Sequence, residues 1–272
     1  MTSISTSDTL RSPPSEKGAR LPDPVLDHGP LRPFRHDPGR REAWWWLLLP
    51  VLVAAFLVAC YAIAPEWYKA HVLPEGYGLL ELSHFFIPLV GFLIAIRLLF
   101  RPFVRRRRLV LVFVSLGAFA CFYIAGEEHS WGQHFFHWET PEAWSKLNRQ
   151  DETNLHNVID VFDKNPRLLL ELGVYVGGVG IPLAALFTPW IRRNRWSLFL
   201  PASAMVPVAL CALLFKGSSM AKNIFGTQAL VFRPSEATET FLYLFILFYL
   251  IIFARRIREL EAEDGQSDKV SA

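Results

Sequence analysis

The chain has 272 residues, 52% of them hydrophobic, and its 28 Lys and Arg exceed its 25 Asp and Glu by only three. The apolar residues come in blocks of roughly 20, the length that crosses a hydrocarbon layer of about 30 Å, which excludes an ordinary soluble domain. Basic residues stand in short clusters beside those blocks, a pattern that suits membrane topology and anionic lipid rather than nucleic acid.

Residues 1–42 are rich in Ser, Pro, Arg and Asp and lack an apolar signal core, so they read as a disordered cytoplasmic tail. Six spans follow, over 43–64, 78–100, 107–125, 167–191, 197–215 and 238–256. Each is expected to be helical, because unpaired backbone groups in lipid are too costly for anything but helices or closed barrels. The fold class is therefore all-α, a polytopic bundle over 43–258 with a short cytoplasmic tail over 259–272. Span four carries Gly173, Gly177, Gly178 and Gly180 and reads as a central packing helix. Pro88, Pro182, Pro201 and Pro207 predict kinks. Cys60, Cys121 and Cys211 all fall inside apolar blocks and read as small hydrophobes.

Orientation follows from Lys and Arg. Arg40 and Arg41, Arg101 with Arg105 to Arg108, Arg192 with Arg193 and Arg195, and Arg255 with Arg256 and Arg258 fall on one side of a six-span arrangement. That side is expected to be cytoplasmic, with both termini. The connection 126–166 then faces outward, which in a bacterium means the outer face of the inner membrane. Thr140-Pro141-Glu142 predicts a short helix there, capped by Thr140 and running to about Arg149. A second, amphipathic helix is expected from Asp151, with Leu155, Val158, Ile159 and Phe162 on one face and Glu152, His156, Asp160 and Asp163 on another.

Ionisable groups in spans are expensive and each needs a reason. Glu81, Glu171, Glu236 and Glu239 lie near the starts of spans two, four and six, where the helix dipole favours negative charge. Span three instead ends at Glu127 and Glu128, which face the unfavourable end of the dipole and each other. That pair requires a proton, a cationic partner or a metal. With His129, Glu152 and His156 they form the expected catalytic set, while His129, His134, His137, His156 and Glu128 are the expected ligands of a divalent metal such as zinc. Glu81, His84, Trp131, Gln133, Asn148, Asn154, Asn157 and Glu171 are expected to shape the substrate pocket.

The run G-E-E-H-S-W-G-Q from Gly126, followed by W-E-T-P-E and N-x-Q-x-E-T-N-L-H-N, resembles a motif of a family of uncharacterised bacterial multi-pass membrane proteins. The likeness covers about 30 residues and implies site positions without implying an activity. A looser similarity joins Glu127-Glu128 to the paired glutamate of the CAAX-processing and bacteriocin-protection proteases. Gly132 stands where those carry arginine, and no histidine follows in spans four to six. The leading expectation is a metal-dependent hydrolase or transferase acting on a lipid or lipid-linked substrate among membrane lipids, with no nucleic-acid partner. A transporter or proton-coupled carrier, a glutamate-type intramembrane protease and a scaffold protein are the alternatives, and the oligomeric state is left open.

Overall fold

The computed structural model describes residues 40–147, 152–155, 160–188 and 195–270. Most of the N-terminal tail, and Asn148, Gln150, Asp151 and His156 to Ile159 in the loop, lie outside the described residues. Among those described there is no strand, and six helices are long and apolar enough to cross a membrane. These candidate spans run Trp44–Ile63, Leu79–Leu99, Arg108–Glu128, Pro166–Phe187, Trp196–Phe225 and Pro234–Glu263. The chain is an integral membrane protein of the helical class.

In order, α1 is Arg40–Ile63, α2 Pro65–His71, α3 Leu79–Leu99, α4 Pro102–Arg106 and α5 Arg108–Glu128. The loop after α5 holds the short α6, Gln133–Phe136, and α7, Glu142–Ser145. Then come α8, Asp160–Tyr175, a π-helical turn at Val176–Gly180, α9, Ile181–Phe187, and α10, Val206–Phe225. The last and longest helix, α11, is Pro234–Val270.

The centre of the bundle is α11, not span four as its glycines suggested: 67% of the span-six window is buried, against 28% for span four. The cause is an apolar surface that is buried all round, since the consecutive residues Phe241, Leu242, Tyr243, Leu244 and Phe245, with Leu250 further on, leave no lipid-facing stripe there. The long helix packs against α3 and α10, α3 packs along α5, and α1 leans on α10. Span-four glycines act locally. At Gly178 a Cβ would lie 2.5 Å from Ala209 and 2.6 Å from the Phe245 ring, so the π turn packs through bare backbone.

Span five departs most from the sequence expectation of 197–215. Pro201 interrupts it, leaving 3₁₀ turns at Arg195–Phe199 and Ser203–Met205, and the regular helix starts at Val206, with Pro207 in its first turn. Buried Arg256 satisfies the carbonyls freed by the break, donating to those of Leu198 at 2.9 Å and Leu200 at 2.6 Å. The helix then runs to Phe225, so the connection left between the expected spans five and six, 216–237, narrows to 226–233. The segment from 259 continues α11 as far as Val270. Glu261 ties this extension to the start of α4, pairing with Arg101 at 2.7 Å and accepting from the Phe103 amide at 3.1 Å.

Two loop expectations are corrected. Helix α7 is capped by Pro141 rather than Thr140 and ends at Ser145, while the Thr140 hydroxyl accepts from Gln133. No helix runs through Glu152 to Leu155. The helix that follows begins by Asp160 and continues straight into span four instead of lying apart on the surface.

Candidate functional site

Helix α5 stops at Glu128, and the chain then turns through the left-handed region at Ser130 (φ 46°), Trp131 (φ 55°) and Gly132 (φ 103°). Non-glycine residues in that region cost of the order of 1–3 kcal/mol each and persist only where their surroundings over-determine them. Here the surroundings do so. The turn folds the Trp131 indole back over Gly126, where a Cβ would meet the ring at 2.7 Å, and its Nε1 donates to Glu127 Oε1 at 2.7 Å. Glu127 Oε2 accepts the Leu155 amide at 2.7 Å. A carboxylate that is 3% exposed thus braces both ends of the loop.

Its neighbour points elsewhere. Glu128 Oε1 accepts from the Tyr243 hydroxyl on α11 at 2.7 Å, and Oε2 lies 3.4 Å from Nδ1 of His84 on α3. Glu239 Oε2, also on α11, is 3.9 Å from the same nitrogen. His84 is fully buried, and the partners of its other nitrogen fix the tautomer. Nε2 is 3.1 Å from the Glu236 carbonyl and 2.9 Å from Thr240 Oγ1. Thr240 spends its own proton on that carbonyl, so both contacts require Nε2 to be the donor. In the neutral ring Nδ1 is then a bare lone pair facing two carboxylates, and it has no hydrogen-bond partner of acceptable geometry. Three acceptors converge where only a proton or a cation can reconcile them.

The ligand atoms of His84, Glu128 and Glu239 all lie within 4.8 Å of one another, and a second group of Glu81, His84 and Glu236 meets the same limit. Arg167 pairs with Glu239 and, at 3.4 Å, with Glu171, which Lys216 also contacts at 2.8 Å. Arg233 stands 3.5 Å from Glu236 and 3.8 Å from Glu75.

A third cluster lies in the loop. Ser130 Oγ donates to Glu152 Oε2 at 2.9 Å, Asn154 donates to the same oxygen at 2.5 Å, and His134 Nε2 is 3.4 Å from Glu152 Oε1 and 3.2 Å from Ser130 Oγ. This holds the members of a nucleophile triad without its wiring, because the serine and the acid both address one ring nitrogen and no relay runs through the imidazole. It is an ion pair that ties the loop. Hydrogen bonding to Glu152 holds His134 above the usual histidine range. Burial pushes Glu152 up, but its bonds from His134, Ser130 and Asn154 outweigh this and keep it below the usual carboxylate range. Gln133 adds a further tie, accepting the Thr153 amide at 2.7 Å.

The expected ligand set is only partly assembled. Glu128 is at the focus. His129 is not: it is buried beside Phe85 and Phe135, both ring nitrogens lack partners, and burial first, then the nearby His134, pushes it down to about 4. His134 serves the loop, and His137, in a left-handed conformation, is exposed. Nor do Glu127 and Glu152 join the focus, since both hold the loop in place. Trp131, Gln133 and Asn154 act as loop braces, though Asn154, like Glu127, His134 and Glu152, also lines the cavity beside the focus, and Glu171 is neutralised by Lys216 and Arg167. His156, Asn148 and Asn157 lie outside the described residues. Of the expected pocket-shaping residues, Glu81 and His84 do line the focus. Glu239, ascribed above to the helix dipole, and Tyr243 were missed as site residues. Their signal was the spacing Glu236, Glu239, Tyr243, which puts all three on one face of a helix.

Above the focus and beside it is a cavity of about 400 Å³. Its mouth is polar, with Glu81, Glu128, Glu236, Glu239 and Arg233, and its deeper wall is apolar, with Ala120, Ile124, Leu170, Leu242 and Ile246. No protein-family model matches the chain, and neither a curated protein nor a solved structure matches it.

Proposed function

We propose that this chain is a membrane-embedded, metal-dependent hydrolase or transferase that works on a lipid or lipid-linked molecule. It acts at the outer face of a bacterial inner membrane, with both termini in the cytoplasm. The observation that carries the proposal is the convergence of two carboxylates on the fully buried His84 Nδ1, with Glu128 Oε2 at 3.4 Å and Glu239 Oε2 at 3.9 Å. One imidazole and two carboxylates are ligand types that zinc accepts, and three of them match the number of protein ligands at catalytic zinc sites. A divalent ion held there would polarise a carbonyl or phosphoryl oxygen or lower the pKa of a water. Glu81 and Glu236 sit close enough to take the proton, and Tyr243 holds Glu128 in place.

A transporter is the competing function. Against it stands the apolar deeper wall of the cavity, which gives no polar continuation among the described residues toward the arginine-rich end. The test is metal binding by the purified full chain. Zinc or manganese should bind at about one equivalent in the wild type, and Glu128→Gln, His84→Ala and Glu239→Gln should each weaken binding at least tenfold. Equal binding by all four proteins, or none by the wild type under any divalent ion, would overturn the proposal.

A further inference from the structure

Below its polar mouth, which Glu81 of α3 and the loop residues His134, Glu152 and Asn154 also line, the cavity has walls on three sides. Helix α5 contributes Ala120 and Ile124, α8 contributes Pro166 and Leu170, and α11 closes the back with Leu242 and Ile246. Helix α5 packs along α3, whereas α8 rests on α10 and α11. No extended contact joins α5 to α8 among the described residues. The fourth side is therefore a cleft between spans three and four. Its rims are lipid-facing: Leu116 and Phe119 on α5 and Leu169 and Leu172 on α8 are each at least half exposed.

We propose that this cleft is a lateral entrance through which one acyl chain of a membrane glycerolipid lies against Ala120, Ile124, Leu170, Leu242 and Ile246, with its headgroup at Glu128 and Glu239. The proposal rests on the enzymatic reading above and names the route and the class of its substrate. Three physical arguments select the occupant. The cavity is polar where the helices end and apolar below, the profile of an amphiphile standing in its own leaflet. A partner helix does not fit, because a cylinder of about 10 Å diameter would fill the cavity with roughly one turn. The same limit on volume disfavours a long polyprenyl chain.

A chain moving from bilayer to cleft leaves one apolar medium for another, since lipid tails are as apolar as leucine. The cleft therefore supplies almost no affinity. Its role is to align the chain, so that the ester or phosphoryl end arrives at the polar focus in one orientation. Selectivity for chain length and shape follows, while binding strength resides in the headgroup.

The test uses the full chain in nanodiscs of phosphatidylethanolamine and phosphatidylglycerol doped with a phospholipid that carries a diazirine midway along one acyl chain. Photolabelling should concentrate on Ala120, Ile124, Pro166 and Leu170, several-fold above the rim residues Phe119 and Leu169. Ala120→Phe and Leu170→Trp, which narrow the cleft from opposite walls, should each reduce that labelling several-fold while zinc binding and the thermal midpoint stay as in the wild type. Labelling spread evenly over all lipid-facing side chains would overturn the proposal. So would undiminished labelling in both variants, or labelling by a prenyl-chain probe alone. Loss of the metal result with the labelling intact would sink the metal centre and leave the acyl cleft standing.

Discussion

Glu127 and Glu128 are adjacent in sequence and belong to different machines: Glu127 Oε2 accepts the Leu155 amide at 2.7 Å, while Glu128 Oε2 lies 3.4 Å from His84 Nδ1 on another span. One helical step separates a structural brace from the candidate metal focus. Substitution should separate the two roles. In Glu127→Gln one oxygen becomes an NH₂ that must face an N–H donor, so the loop should lose about 1–3 kcal/mol of stability. Faster limited proteolysis in the loop and a lower thermal midpoint, with metal binding retained, would report this. Glu128→Gln should do the reverse. If both variants lose metal equally and keep the loop equally, the division of labour is wrong.

His129 is a buried imidazole with both nitrogens unpartnered, pushed down to about 4 by burial and by its neighbour His134. A histidine whose folded pKa is depressed contributes stability above its unfolded value of about 6.5 and loses it as pH falls toward the folded one. His134 is raised by its bond to Glu152, so its contribution is full below about 6.5 and is lost as pH rises through the folded value. Glu152 is depressed, so its share is present above about 4.3 and lost at lower pH. Loop stability should therefore peak near pH 6.5. His129→Phe, which removes two unsatisfied groups beside Phe85 and Phe135, should abolish most of the acid-side loss and match or exceed the wild type at pH 5. His134→Gln should flatten the alkaline side. Thermal midpoints measured from pH 4.5 to 9 would decide both, and an unchanged acid limb in His129→Phe would remove the first claim.

Much of the architecture was legible because the membrane enforces it. Apolar blocks of about 20 residues have one stable solution, and spans two and three fall within three residues of their expected ends. Span five was misplaced because hydropathy does not register that Pro201 breaks the helix or that a distant Arg256 satisfies the break. The site was half legible for a similar reason. Glu128 was identified by its unfavourable place at a helix C-terminus, which is local physics. His84 and Glu239 come from helices far away in sequence, and no local spacing announces that they meet. Spacing in fact misled at Glu152 and His156, where a one-turn separation was assumed although the backbone from Glu152 to Leu155 is not helical. Asn154 explains part of that failure, since its amide is committed to Glu152 and Ser130.

The four glycines of span four should not behave alike. Gly178→Ala places a methyl 2.5 Å from Ala209 Cβ and 2.6 Å from the Phe245 ring, and overpacking of this kind costs about 1–3 kcal/mol. Around Gly173 nothing lies within 4 Å of the added carbon, so Gly173→Ala should be neutral or stabilise by up to about 1 kcal/mol through helix propensity. A lower thermal midpoint for Gly178→Ala beside an equal or higher one for Gly173→Ala is the expected pair. Equal losses would mean that the π turn does not pack as described.

Arg256 links the central helix to the break in span five. Its Nη1 donates to the carbonyls of Leu198 at 2.9 Å and Leu200 at 2.6 Å, and the side chain is buried. Arg256→Met keeps much of the apolar stem and leaves those carbonyls without their donor, which should cost about 1–3 kcal/mol for each that water cannot reach. Lysine should rescue only in part, since an ammonium presents a compact point where the guanidinium presents a fork. Hydrogen exchange should show the damage first at Arg195–Phe199 and Ser203–Met205, ahead of α10. Protection there that is unchanged in Arg256→Met would mean that Pro201 and the surrounding packing hold the break without the arginine.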